Sequence, residues 1–306
     1  MSKKTSIGGQ ALIEGIMMRG PKQTAMAVRN SKTQEIIIEE YPTKGADRAA
    51  FFKLPFIRGI FNMVDSLSFG YKCLMRSAEL SGLEDEEPNK TPSKWDKVLD
   101  AVLMPVATVL AVVLALGLFL YLPMRLWTWV TAATPALQQN YYARACFEGV
   151  MRIILFVAYV WATSLMKDIR RTYQYHGAEH KTIFCYEAGL PLTVENVRIQ
   201  SRFHPRCGTS FMVLMLIVGI IVSIFIRVDN LALRTLFKLL TFPIVVGIGY
   251  ELIKWAGRTD NILTRIISAP GKWLQHVTTR EPDDSMIECA IEAMTRVIPA
   301  DGSDAW

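Results

Sequence analysis

Hydrophobic positions form long uncharged runs in the middle of this chain and short periodic patterns at its two ends. Residues 101–124 carry no charge, and this run exceeds the roughly 20 residues that a helix needs to cross about 30 Å of hydrocarbon. Residues 147–166, 208–226 and 231–255 form three further apolar stretches. In the first of these, Glu148 and Arg152 lie four residues apart and are expected to pair. The pattern predicts four transmembrane helices.

The first 45 residues show the pattern of short strands. Residues 11–18, 24–30 and 35–41 are predicted as strands, because turn-forming residues separate them at Gly20-Pro21 and at residues 31–34. We therefore expect a small β-meander that precedes the membrane region.

Two further stretches have helical periodicity. After Pro55, apolar residues recur at steps of three and four from Phe56 to Leu74 and predict an amphipathic helix, which either lies in the membrane interface or packs against the strands. Near the C-terminus, Ser285 and Glu288 have the capping-box spacing at the start of a second amphipathic helix, and Asp283 or Asp284 is expected to contribute to its cap. Residues 82–94 between these regions are acidic and predict a solvated connector.

The predicted fold class is a membrane α-helical protein with a small N-terminal cytoplasmic β-meander and amphipathic cytoplasmic helices. It divides into a β-meander at 1–45, an amphipathic helix with an acidic linker at 46–97, a transmembrane hairpin at 98–166, a cytoplasmic loop at 167–210, a second transmembrane hairpin at 211–256, and a cytoplasmic tail with an amphipathic helix at 257–306.

Composition and charge support a membrane location. The chain of 306 residues is 51% hydrophobic and only 20% charged, which argues against a fibrous or disordered protein. Of its 34 Lys and Arg residues, 28 lie in residues 1–97, 167–206 and 254–306. Because basic loops stay in the cytoplasm, both termini and the central loop are predicted there, with the lipid bilayer and other membrane proteins as partners. No nucleic-acid motif is present, so no specific nucleic-acid partner is predicted.

Candidate chemistry is concentrated in the central loop. His176 and His180 are four residues apart, share one helix face and enclose Glu179 in the order H-x-x-E-H, in which two histidines hold a metal ion and the glutamate activates water. A second pair, His204 and Cys207, precedes the third apolar helix. We expect these four side chains to bind zinc or another divalent transition metal, with Glu179 as the catalytic general base.

Alternatives remain open for several of these residues. A lone histidine is usually a packed side chain, and Glu179 can equally orient a metal ligand. Glu251 is expected to form an interfacial ion pair rather than to reach the metal. In residues 8–21 the glycines are expected to permit turns and close backbone approach, with Glu14 and Arg19 as candidates for a substrate pocket.

Four segments carry a resemblance to a known family. They are GGQALIEGIMMRGP at residues 8–21, YHGAEHKTIFCYE at 175–187, SRFHPRCGTSF at 201–211 and TTREPDD at 278–284. Together they resemble the YqhQ-type bacterial membrane family, a group of unknown function. The resemblance covers nearly the whole chain and implies a predicted metal-dependent enzyme in the bacterial cytoplasmic membrane, with no substrate assigned.

Two hypotheses for function follow. The first is a metal-dependent hydrolase at the cytoplasmic face, in which His176, His180 and His204 hold the ion and leave one position for water. Cys207 is then a fourth ligand or a close neighbour. The second is a non-enzymatic scaffold for membrane-protein assembly or transport, in which four ligands close a structural zinc site. A channel or transporter is less favoured, because the charges of the apolar stretches lie near their ends.

Overall fold

The chain folds into two compact units. A computed structural model describes residues 4–43, 50–83, 94–259 and 261–305. The first unit contains Met1–Glu84, Val160–Met215 and Val246–Trp306, and the second contains Asp85–Tyr159 and Leu216–Val245. Most of the predicted acidic connector lies outside the described residues.

The N-terminal sheet is an antiparallel meander of four strands, in the order β1-β2-β3-β4. The strands are β1 (Gly8–Leu12), β2 (Gly15–Arg19), β3 (Gln23–Arg29) and β4 (Ile36–Pro42). The prediction of a single strand at residues 11–18 is wrong, because Leu12 and Gly15 pair across a tight turn in which Glu14 has a left-handed φ of 51°. Apolar residues lie on both sides of this turn, so the sequence pattern predicts Glu14 and Gly15 as part of one strand.

Helices cover both faces of the sheet in the first unit. On one face, Ile16 and Met18 pack against α5 (Lys167–Glu187) and α10 (Asp284–Val297). On the other face, Met17 and Met26 pack against Cys73 of α1 (Ile57–Ser81). Successive strand residues point to opposite faces, which explains how neighbouring methionines enter different cores. The predicted amphipathic helix after Pro55 is confirmed, and it contacts the strands.

The other side of α1 does not pack within the described residues. Its apolar residues Val64, Leu67 and Tyr71 are each more than half exposed. Their spacing of three and four residues places them on one side of the helix. Contact with the sheet, which the sequence left as one of two alternatives, therefore accounts for one face of α1.

Helix α10 begins two residues earlier than the capping-box spacing indicates. Asp283 is the N-cap, and its side chain accepts a hydrogen bond from the Met286 backbone N–H at 3.0 Å. Ser285 lies inside the first turn and donates its hydroxyl to Asp283 Oδ1. The predicted Ser285 capping box is thus wrong, while the expected contribution of Asp283 to the cap and the predicted helix are confirmed.

Several helices are long and apolar. They are α2 (Lys94–Leu116), which a π-helical turn at Gly117–Tyr121 joins to α3 (Leu122–Ala133), α4 (Tyr141–Thr163), α7 (Gly208–Ser223) and α8 (Leu231–Arg258). By length and composition, Pro105–Ala133, Tyr141–Thr163 and Leu231–Arg258 are suited to cross a membrane. Helix α7 has only 16 residues, or about 24 Å of helix, and is shorter than the predicted span at 208–226. The remaining described α-helices are α6 (Val194–Arg198) and α9 (Ile262–Thr278).

Candidate metal centre

Three predicted ligands come together in the first unit. Ligand atoms of His176, His180 and Cys207 all lie within 4.8 Å of one another. Helix α5 presents the two histidines one turn apart on the same face, and Cys207 lies directly before α7. His180 and Cys207 are buried, whereas His176 is partly buried.

Backbone carbonyls orient both histidine rings. His176 Nδ1 donates to the carbonyl of Thr278 at 2.8 Å, and His180 Nδ1 donates to the carbonyl of Arg202 at 2.6 Å. A proton on Nδ1 leaves Nε2 as the basic nitrogen, which is the arrangement typical of metal-binding histidines. His176 Nε2 lies 3.1 Å from the Cys207 sulfur, while the buried His180 Nε2 has no hydrogen-bond partner.

The electrostatics of this cluster favour a thiolate. Burial alone would raise the pKa of Cys207, but the neighbouring imidazoles of His176 and His180 lower that pKa well below its usual value. Burial opposes the charged imidazole of His176, yet the Cys207 sulfur raises the pKa of His176 to about 9. A deprotonated sulfur beside an oriented imidazole is the form in which cysteine binds metals.

Glu179 lies beside this cluster and is almost completely buried. Burial raises the pKa of its carboxyl group, and the oxygen Oε2 has no hydrogen-bond partner. Gly9 of β1 permits the approach of this side chain, because a Cβ atom at Gly9 would come within 2.9 Å of Glu179 Cδ. The close approach that the sequence predicts for glycines in residues 8–21 is therefore found at Gly9.

A cavity of about 220 Å³ adjoins these groups. Glu179, His180 and Cys207 line it together with residues of the segment from Thr5 to Gly9. Two imidazoles and a thiolate form a donor set that suits zinc. The unpartnered His180 Nε2 and the unpartnered Glu179 oxygen also fit a metal ion with a bound water, since these atoms would otherwise be buried at a cost.

His204, one of the three histidines predicted to hold the ion, lies next to this cluster without joining it, and Cys207 is the third donor instead. Its ring centroid is 5.5 Å from that of His180, and its Nε2 is 3.9 Å from an oxygen of Glu187. Arg206 also binds Glu187. Burial lowers the pKa of His204 to about 4 although Glu187 opposes this change, so the ring is neutral at pH 7. A role for His204 as a ligand stays a prediction.

Residues 278–282 support α5, the helix of His176 and His180, and the sequence alone gave them no such role. The carbonyl of Arg280 lies so close to Gly177 that a Cβ atom at Gly177 would overlap it. The Arg280 N–H donates to the carbonyl of Tyr173, and Lys181 forms an ion pair with Glu281 at 2.8 Å. The TTREPDD motif marked this segment in the sequence. Its contact with α5 could not be predicted, because it joins positions about 100 residues apart.

The other predicted site residues lie elsewhere in the first unit. Glu14 binds Arg171 through both carboxylate oxygens and accepts a hydrogen bond from Tyr175 at 3.3 Å. Arg19 lines a separate cavity that it shares with Gly8 and Gly9. Glu251 forms an ion pair as expected, with Arg58 as its partner.

Comparison with known proteins agrees with the resemblance seen in the sequence. The family described as "Protein of unknown function (DUF1385)" matches residues 54–300. The uncharacterized protein YqhQ of Bacillus subtilis (strain 168) is 34% identical over 296 residues, which cover 95% of this chain and 92% of that protein. No solved structure matches the chain. Because the match spans most of both sequences, this chain belongs to the DUF1385 family of proteins of unknown function.

Proposed function

We propose that the protein is a membrane-bound metal-dependent hydrolase whose ion is held by His176, His180 and Cys207. The observation that carries this proposal is the group of two oriented imidazoles and one thiol beside a buried carboxyl group whose Oε2 has no partner. Three protein ligands leave a position for water in a tetrahedral zinc site. A bound zinc ion would lower the pKa of that water and polarise a substrate carbonyl or phosphoryl group.

The chain's own residues supply the acid–base part of this chemistry. The carbonyls of Thr278 and Arg202 fix the two imidazole rings, so their Nε2 atoms need no reorientation to bind an ion. Glu179 lines the cavity, and its raised pKa makes its carboxylate a stronger base than an exposed one. We assign to Glu179 the uptake of a proton from the attacking water.

The proposed membrane arrangement follows the charge distribution of the sequence. Four spans would place both termini and the metal centre at the cytoplasmic face, with α7 as the shortest span. The apolar length of the other three supports this arrangement.

A closed structural site is the second candidate, and the position of His204 favours it. A ring centroid 5.5 Å from that of His180 lies near enough for a side-chain rotation to bring a fourth nitrogen to the ion. The protein would then be a zinc-stabilised membrane scaffold, without a position for water.

Metal content separates these alternatives. We expect the full chain, purified in detergent, to hold about one zinc ion by elemental analysis, and Cys207→Ser to lose most of it. His204→Ala should keep the ion in a three-ligand site and lose it in a four-ligand site. His276→Ala is the matched control, because His276 is exposed, lies outside the three-donor cluster, and its Nδ1 donates to the Trp273 carbonyl. A well-folded protein that takes up no metal would contradict both candidates.

Glu179→Gln tests the enzymatic role. The amide is nearly the same size but cannot act as a base, so we expect unchanged zinc content and a loss of cellular function by a factor of about 10² or more. The readout is complementation of a strain that lacks the protein, with zinc content measured in parallel. Full complementation by a zinc-loaded Glu179→Gln protein would exclude Glu179 as the base.

A further inference from the structure

The second unit contains a group of buried charges within two of the apolar helices. Glu148 of α4 is 1% exposed and lies among three cationic side chains. Arg152 Nη2 is 3.3 Å from one carboxylate oxygen, Arg234 Nη2 is 3.6 Å from the other, and Lys238 forms an ion pair with the first. We refer to Glu148, Arg152, Arg234 and Lys238 as the cationic cluster.

The charges of this cluster do not balance. Three cations surround one carboxylate, and both guanidinium groups stay protonated at any physiological pH. The nearby Arg144 does not change the sum, because it pairs with Asp229 at 2.9 Å. Even with a neutral Lys238, the two arginines exceed the single buried carboxylate by one positive charge. An uncompensated charge is costly inside an apolar helix bundle, so the cluster favours an added anion.

The geometry of the donors indicates which anion is favoured. Arg152 and Arg234 reach Glu148 from two different helices, α4 and α8. Guanidinium groups match the oxygens of phosphate with two parallel hydrogen bonds, and a lysine adds a point charge. One of these N–H donors is already used, because Arg152 Nε donates to the carbonyl of Phe119 at 3.0 Å.

We propose that the cationic cluster binds the phosphate group of an anionic ligand. A phospholipid headgroup and free inorganic phosphate share this chemistry. The surrounding helices favour the lipid, because Pro105–Ala133, Tyr141–Thr163 and Leu231–Arg258 are suited to cross a membrane and expose apolar residues such as Val150 and Ile154. This site is independent of the metal centre.

The test uses the full chain in detergent after removal of co-purified lipid. Binding of phosphatidylglycerol and phosphatidylcholine is measured by native mass spectrometry, and binding of inorganic phosphate by isothermal titration. We expect binding of phosphatidylglycerol in preference to phosphatidylcholine. Binding of inorganic phosphate without that preference would support the same site with a soluble ligand. If the wild-type protein binds neither phosphatidylglycerol preferentially nor phosphate, the proposal is wrong.

Substitutions of opposite charge give the sharper test. Arg234→Gln should weaken binding about tenfold, because one charge-assisted hydrogen bond is lost. Glu148→Gln removes the competing carboxylate and should strengthen binding by a similar factor. If the cluster only holds the helices together, Glu148→Gln should bind phosphatidylglycerol and phosphate no better than the wild-type protein does. Unchanged or weaker binding in Glu148→Gln would therefore overturn the proposal.

The control variant is Arg227→Gln. Arg227 is exposed and donates to the Tyr142 hydroxyl, outside the cationic cluster. We expect its lipid and phosphate binding to equal that of the wild-type protein. Should Arg234→Gln fail to fold, Lys238→Met removes one cation at similar side-chain length and is expected to weaken binding in the same direction. Unchanged binding in Lys238→Met would contradict the proposal.

Discussion

At the scale of single residues, Gly177 decides how closely residues 278–282 approach helix α5. Gly177 lies between the two predicted histidine ligands, directly under the carbonyl of Arg280. Any larger residue would push residues 278–280 away from α5. Since Thr278 orients His176 from this segment, the glycine also determines the orientation of a ligand.

Gly177→Ala should therefore destabilise the protein. The added methyl group overlaps a backbone carbonyl, and overpacking of this kind costs about 1–3 kcal/mol in the free energy of unfolding. The measurement is the apparent melting temperature of the purified protein by circular dichroism. Gly219→Ala is the matched control in α7, where no atom lies within 4 Å of the added carbon. A melting temperature of Gly177→Ala equal to that of this control would contradict the close contact.

The burial of His204 predicts a pH dependence of stability. Its pKa is about 4 in the folded protein and 6.5 in an unfolded chain, so the unfolded chain binds more protons between these values. The free energy of unfolding should therefore fall by roughly 3 kcal/mol as the pH decreases from above 6.5 to 4.

His204→Gln, measured with metal removed by a chelator, should lack this part of the decrease. The measurement is the melting temperature between pH 4 and 7, compared with that of the wild-type protein. His276→Gln serves as the control and is expected to follow the wild-type curve. If His204→Gln follows it as well, His204 is not a buried neutral histidine.

At the scale of elements, the start of α10 combines an N-cap at Asp283 with an ion pair between Asp284 and Arg198. Two hydrogen-bonding side chains, Asp283 and Ser285, lie at the start of this helix, and Asp283 is the one that accepts a backbone N–H. The helix then begins at Asp284, next to Arg198 of α6, with which that residue pairs.

Asp283→Ala should lower the free energy of unfolding by about 1 kcal/mol, because the Met286 N–H loses its partner. Ser285→Ala should change it by less than half of that amount, since the Ser285 hydroxyl only donates to Asp283. Both values come from chemical denaturation of the purified protein. The opposite order of the two effects would restore the capping box at Ser285.

At the scale of the whole molecule, the proposed topology has four spans although α7 is short. Reporter fusions test it. Alkaline phosphatase joined after residue 136 or 228 should be active, because the proposed topology places these positions in two short loops on the side opposite the basic segments. Fusions after residues 190 and 305 should be inactive, with a cytoplasmic fluorescent reporter giving the reverse pattern. Activity at residue 305 would indicate an odd number of spans.

The sequence by itself determined much of the architecture. Hydrophobic runs identify the apolar helices, since the length needed to cross a bilayer is a local property. Periodicity identifies α1 and α10, and the spacing of four residues places His176 and His180 on one face of α5. The approach of Cys207 was expected because a histidine and a cysteine close together in sequence are common metal ligands.

Only the tertiary structure decided which groups surround these residues. The carbonyls that orient the histidines belong to Thr278 and Arg202, and no spacing rule predicts contacts across 102 and 22 positions. His204 lies apart from the three-donor cluster, next to Glu187, and Arg206 pairs with the same carboxylate. The hairpin at Glu14 depends on one left-handed residue. In each case the deciding contact is long-range or rests on a single backbone angle, and a hydrophobic pattern records neither.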